Sequence, residues 1–176
     1  YIEDSEEYIK EINSDKVANL ISEMDSDDAV DILEKLSDTD RKRIVALLDN
    51  DAKQDVSMIL SYEDDEIGSE MTTNYIVVKK NLTIKEATHQ LITQAGENDN
   101  INTIYVVDDN DSFYGAIDLK DLIVAREYQS LDELIIKSYP YVKANEKIVD
   151  CIEQLKDYAE DSIPVLDDNK HILGVI

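Results

Sequence analysis

The feature that most constrains this chain is a twelve-residue beat near its start. Ile12, Met24, Leu36, Leu48 and Leu60 recur at that interval, and Leu20, Ile32, Ile44 and Val56 follow the first four by eight residues. Between them stand small polar or acidic pairs: Ser14-Asp15, Ser26-Asp27, Asp38-Thr39 and Asn50-Asp51. Each unit reads as a cap, two turns of amphipathic helix and a tight link. Helices this short do not stand alone in water. They must stack and bury the recurring apolar positions against each other, as in a helical solenoid. The expectation is an all-α superhelical repeat domain over residues 1–68.

From Met71 the composition shifts towards Ile, Val and Thr, and a longer repeat begins. "VKKNLTIKEATHQL" (78–91) aligns with "VKANEKIVDCIEQL" (142–155), and "TIYVVDDNDSFYGAI" (103–117) with "SIPVLDDNKHILGVI" (162–176). Each copy reads as strand, helix, strand, hairpin, strand. The helix face is Ile84, Ala87 and Leu91 in one copy and Ile148, Cys151 and Leu155 in the other. The Asp-Asp-Asn runs are hairpin turn chemistry and lack the spacing of a calcium loop. After the first copy, "LKDLIVARE" predicts one further helix. Residue 1 is not methionine and Ile176 falls in mid-strand, so the sequence reads as a piece of a longer chain.

Charge narrows the partners. The formal net charge is −24, with 21 acids and 7 bases over residues 1–68 and 20 acids and 10 bases over residues 69–176. Such a surface repels nucleic-acid phosphates and anionic lipid and attracts divalent cations or a basic protein. The single cysteine, Cys151, excludes an internal disulfide and a thiolate zinc cluster, and His89 and His171 stand far apart. His89 belongs on a helix flank and Cys151 in the core. No nucleophile–base pair or phosphate-cradling glycine loop is evident, so catalysis is not expected. No apolar run approaches the roughly 20 residues a membrane helix needs.

The second repeat resembles the CBS (cystathionine β-synthase) domain pair, through "MTTNYIVVKKNLTIKEA", the "TIYVVDDNDSFYGAI" hairpin and "GAIDLKDLI" (115–123). The helical repeat running into "SYEDDEIGSEMTTNYIVV" (61–78) makes nearly the whole chain similar to the cytosolic region of MgtE-type magnesium transporters. The implied fold is α+β: a superhelical domain, then a tandem CBS pair of βαββα units at 69–128 and 129–176, the second incomplete.

In that family the N domain and the CBS pair sense Mg²⁺, which draws them together and favours closure of a downstream transmembrane pore. The implied setting is the cytoplasmic face of the cell membrane, and the implied partners are a second copy, through the CBS pair, and the pore domain of the same chain. "SDDAVDIL" (26–33) matches the helix whose two acids meet the metal, which places those roles on Asp27 and Asp31. The family's facing acids fall on Lys147, Val149 and Ala159, which are departures; Asp150, Asp157, Glu160 and Asp161 stand nearby. The resemblance also implies an adenine-nucleotide site for ATP, with Asp121 on the ribose. Asp118 replaces the hydroxyl that would meet phosphate there, at a Coulomb cost. Two alternatives stand beside Mg²⁺ sensing: a nucleotide-sensing CBS module, and an adaptor whose acidic superhelix docks a basic protein.

Overall fold

A computed structural model describes residues 13–176, and Ile12 of the twelve-residue series lies outside them. The chain divides into two compact units, residues 1–63 and 64–176.

In the first unit, a helix that includes residues 13–22 (α1) is followed by α2 (Ser26–Glu34), α3 (Asp38–Leu47) and α4 (Asn50–Ile59). The last three start at an interval of twelve residues, as the repeat requires. The caps sit one position upstream of the expected pairs. Ser37 Oγ accepts from the Asp40 N–H at 3.2 Å, and Asp49 Oδ1 accepts from the Ala52 N–H at 2.9 Å. Each occupies one of the donors that a helix start leaves orphaned. Helix α2 packs on both α3 and α4. Its other end is closed by Arg41 of α3, whose guanidinium donates to the Leu33 and Glu34 carbonyls at 2.9 and 3.1 Å.

The core of this unit is Ala18, Ile21, Ala29, Val30, Leu33, Ile44, Leu48, Val56 and Ile59. Not every beat of the repeat is inside. Leu20 is 65% exposed and Met24 37% exposed, and Ile32 and Leu36 are only partly covered. Helix α1 turns Ser14, Ala18 and Ile21 inward, a 4-then-3 stripe. Leu20 lies about 100° round the helix from Ile21 and off that stripe.

The second unit holds two three-stranded sheets of the same topology. β1 (Ile76–Lys79) pairs in parallel with β2 (Thr103–Val107), which pairs antiparallel with β3 (Phe113–Asp118). β4 (Val142–Lys143), β5 (Pro164–Leu166) and β6 (Ile172–Val175) repeat this order. The parallel pairs are bridged by α5 (Ile84–Gln94) and α7 (Ile148–Lys156). Between the copies, α6 (Leu119–Val124) stops three residues short of the expected "LKDLIVARE" helix, because Ala125 is extended at ψ 147°. Among the described residues no helix is long and apolar enough to cross a membrane.

Helix α5 opens on a reciprocal capping box between Thr83 and Glu86 and buries Ile84, Ala87 and Leu91, as its spacing requires. These residues join Ile76, Val78, Ile104, Val106 and Ile117 of the sheet in one cluster. In the second copy Cys151 is fully buried in the position of Ala87, and burial pushes its thiol pKa up to about 12. His89 is exposed. The hairpin aspartates act as turn residues in both copies. Asp108 Oδ1 accepts from the Asn110 and Ser112 N–H groups at 2.8 and 3.0 Å, and Asp167 Oδ1 from Asn169 and His171 at 2.8 and 2.9 Å.

The copies exchange their leading segments. Ile136, ahead of β4, bridges to Ala116 of β3, and Thr72, ahead of β1, bridges to Val175 of β6. Gly115 and Gly174 sit under these crossings. A Cβ on Gly115 would stand 2.7 Å from the Ile136 carbonyl oxygen, and one on Gly174 2.7 Å from that of Thr72. The glycines shared by the two repeats are therefore a steric requirement of the exchange.

Candidate metal and nucleotide sites

Helix α2 turns Ser26, Ala29, Val30 and Leu33 into the core of its unit. Asp27 borders that stripe and is half-buried, while Asp31, one turn on, is exposed. Asp27 lies in the first turn, where the helix dipole favours a carboxylate. Its Oδ1 is shut off from solvent and has no hydrogen-bond partner among the described residues. An anionic oxygen in that state is costly, on the order of 1–3 kcal/mol for a neutral group and more for a charged one. A hydrated Mg²⁺ typically takes one or two carboxylates and keeps several waters, and Oδ1, being shut off from solvent, is not the oxygen such an ion would meet. Among the described residues no three His, Cys, Asp or Glu side chains gather closely enough to hold a metal by themselves. Around Asp27 and Asp31 the described residues offer no closed protein cage for a metal.

Of the departures at the second copy, Lys147 is held by ion pairs. Lys147 pairs with Asp65 at 2.7 Å and lies 4.0 Å from Glu66, so the lysine is matched by acids of the segment entering this unit. That segment is held to the second copy by the backbone as well: the Ile67 and Gly68 N–H groups donate to the Glu146 and Ala144 carbonyls at 2.9 and 2.8 Å. Val149 is 74% exposed and Ala159 is exposed. Asp150, Asp157, Glu160 and Asp161 are all exposed.

The nucleotide candidates lie where β3 turns into α6. Asp118 precedes the helix, and Asp121 is half-buried in its first turn. A cavity of about 400 Å³ opens beside them, lined by Asn102, Asp118, Lys120, Ile123 and Asp161 among others. Asp121 does not line it. Two carboxylates and one ammonium face this space, an unfavourable balance for a polyphosphate. Asp161 was not legible as a neighbour of Asp118 from the repeat, because the two occupy non-equivalent positions.

A buried hydroxyl cluster also escaped the sequence reading. Tyr105 and Ser162 share a hydrogen bond at 2.5 Å, and the Tyr139 hydroxyl donates to the Ser162 carbonyl at 2.7 Å. Burial raises the Tyr105 pKa and pushes that of Tyr139 up to about 12. The available signal was the alignment of Thr103, which opens β2, with Ser162, two residues ahead of β5, both buried.

Known proteins share this architecture. The family model described as the MgtE intracellular N domain matches residues 2–65, and that of the CBS domain matches residues 65–128 and 131–176. A Thermus thermophilus protein, magnesium transporter MgtE, is 30% identical over 135 residues, covering 77% of this chain and 30% of its own length. The crystal structure of the soluble part of a magnesium transporter superposes with a TM-score of 0.84 at 30% identity, over 90% of this chain and 62% of that one. The cytosolic domain of the Mg²⁺ channel MgtE in complex with ATP gives 0.84 at 28% identity, over 91% of this chain and 66% of that one. The chain thus spans less than a third of the Thermus thermophilus transporter. With its whole described fold and both family matches in the same order, the chain belongs to the CBS-domain family and carries, ahead of its CBS pair, the intracellular N domain of MgtE-type magnesium transporters.

Proposed function

We propose that this chain is the Mg²⁺-sensing regulatory region of a magnesium transporter, at the cytoplasmic face of the membrane. The observation that carries the reading is the N domain running directly into a CBS pair, at 30% identity to a magnesium transporter. The two acids one turn apart on α2, Asp27 and Asp31, support the site. The mechanism is electrostatic and non-catalytic. With a net charge of −24, acidic faces of the two units repel when Mg²⁺ is scarce. Bound Mg²⁺, held on this side by Asp27 and Asp31, offsets that repulsion and shifts the population towards a compact state that favours a closed downstream pore. A second copy of the chain, joined through the CBS pair, completes the regulatory unit.

Calorimetry and small-angle scattering with Mg²⁺ in the millimolar range test this. The expected outcome is a binding isotherm with a fall in radius of gyration, both weakened in Asp27→Asn and Asp31→Asn. Absence of binding or of compaction in the unaltered chain would sink the reading. Adenine-nucleotide sensing is the second reading, supported by Asp121 in the first turn of α6 and by the ATP complex of the similar cytosolic domain. ATP titration separates the two, and Asp118→Thr should tighten ATP binding only if the second holds. An acidic docking adaptor would instead show salt-sensitive association with a basic protein and no response to Mg²⁺.

A further inference from the structure

The repeat builds two equivalent places that are not equally filled. Beside β1 lies a cavity of about 440 Å³, walled by Tyr75, Val77, Val107 and Ile172 and bordered by Gln94 of α5. The repeat alignment carries Val77 onto Tyr141, Gln94 onto Tyr158 and Ile172 onto Phe113. The equivalent place, shared between β4 of the second copy and β3 of the first, thus has aromatic residues where this cavity has Val, Gln and Ile. The Tyr141 and Phe113 rings meet there, with centroids 6.0 Å apart at 65°. Gln94 does not fill the equivalent space. Its amide is turned onto the β1 backbone, accepting from the Val77 N–H at 3.0 Å and donating to the Val77 carbonyl at 2.8 Å.

The rim carries the polar groups, and they are compensated among themselves. Lys79 forms an ion pair with Asp111, and His171 Nδ1 lies 3.2 Å from Asp167 Oδ2. A charged ligand would have to break one of these pairs or enter uncompensated. A neutral amide can accept from Lys79 and donate to Asp111 while both stay paired. The apolar wall, and the rings that stand in the equivalent place between the copies, favour a flat aromatic body. The volume falls within the range of small-molecule sites, which are typically about 300–1,000 Å³. We infer that this cavity is a binding site for a neutral, planar aromatic amide or lactam, separate from the cavity at Asp118 and from the Asp27 helix.

The test is titration of the ¹⁵N-labelled chain with benzamide, read by amide chemical shifts, beside benzoate, benzylamine and cyclohexanecarboxamide. The expected result is saturable shifts at Tyr75, Val77, Val107 and Ile172 with benzamide, and weaker binding of the other three. Ile172→Phe and Val77→Tyr each introduce the residue that the other copy already accommodates. Each should weaken benzamide binding by about tenfold or more, with an unchanged or higher melting temperature showing that the fold persists. No shifts at these residues, or equal affinity in both filled variants, overturns the site. Equal binding of benzoate or benzylamine overturns the neutral-amide assignment, and equal binding of cyclohexanecarboxamide overturns the aromatic one. These comparisons use the unaltered chain and hold even if a filled variant fails to fold.

Discussion

Lys170 and Asp111 hold positive φ angles, 66° and 61°, at matching places in the two hairpins. A side chain in the left-handed region costs roughly 1–2 kcal/mol relative to the ordinary conformations. The turn tolerates this because each hairpin aspartate accepts two backbone N–H groups, which pins the loop whatever residue stands there. Lys170→Gly should therefore stabilise the chain by roughly 0.5–1 kcal/mol, the steric relief outweighing glycine's extra freedom in the unfolded state. A rise in the urea midpoint at unchanged slope would confirm it. Asp27 is the opposite case, a residue whose local cost has no compensation among the described residues. It sits in the first turn of a helix, where an acid is ordinary, and its sequence context does not separate it from Asp28. One of its oxygens is shut off from solvent, which only the folded chain decides.

The helices of the first unit depend on each other's ends as much as on their faces. Arg41 delivers a cation and two donors to the last carbonyls of α2, which has no basic residue of its own in its final turn. Arg41→Met keeps much of the aliphatic stem and removes the donors. It should cost about 1–2 kcal/mol, since a charge-assisted bond and a favourable dipole contact are lost together. Urea unfolding checks this, and a loss below about 0.5 kcal/mol, the level of an ordinary surface substitution, would show that water replaces the arginine. In the second unit the crossing segments impose a different constraint. Gly115→Ala and Gly174→Ala place a methyl against a backbone carbonyl that cannot step aside without breaking a bridge. Each should cost about 1–3 kcal/mol, the range of overpacking. Neutral alanine variants in thermal melts would show that the crossings give way freely.

At the scale of the whole molecule, the second unit is one structure because its two copies share a centre. Tyr105, Tyr139 and Ser162 join them through buried hydroxyls, and the Tyr105 ring also meets Tyr75 and Phe113 edge-on or tilted. Burial raises the pKa of both tyrosines, that of Tyr139 to about 12. In the unfolded chain a tyrosine ionises near pH ~10. A raised folded value means that stability is complete below that pH and is lost as the pH rises towards about 12. Alkaline unfolding over that window should accompany the absorbance change of tyrosine ionisation, and Tyr139→Phe should shift the midpoint upward. A midpoint unmoved by that change would detach the cluster from the pH response.

Both repeats, the class of each unit, the face of α5 and the turn role of the hairpin aspartates were legible in the sequence. Each follows from local periodicity, capping or turn chemistry, which act over a few residues. The candidate site was legible only through the match of "SDDAVDIL" to a family segment, since two acids one turn apart are common on solvated helices. Tertiary structure alone decided that Leu20 stays outside while Ile21 goes in, that Lys147 meets Asp65, and that Gly115 and Gly174 lie under crossing strands. It also decided that one of two equivalent places between the copies keeps a cavity while rings stand in the other. These outcomes depend on which segments distant in the chain come within a few ångströms of each other, and no local pattern encodes that distance.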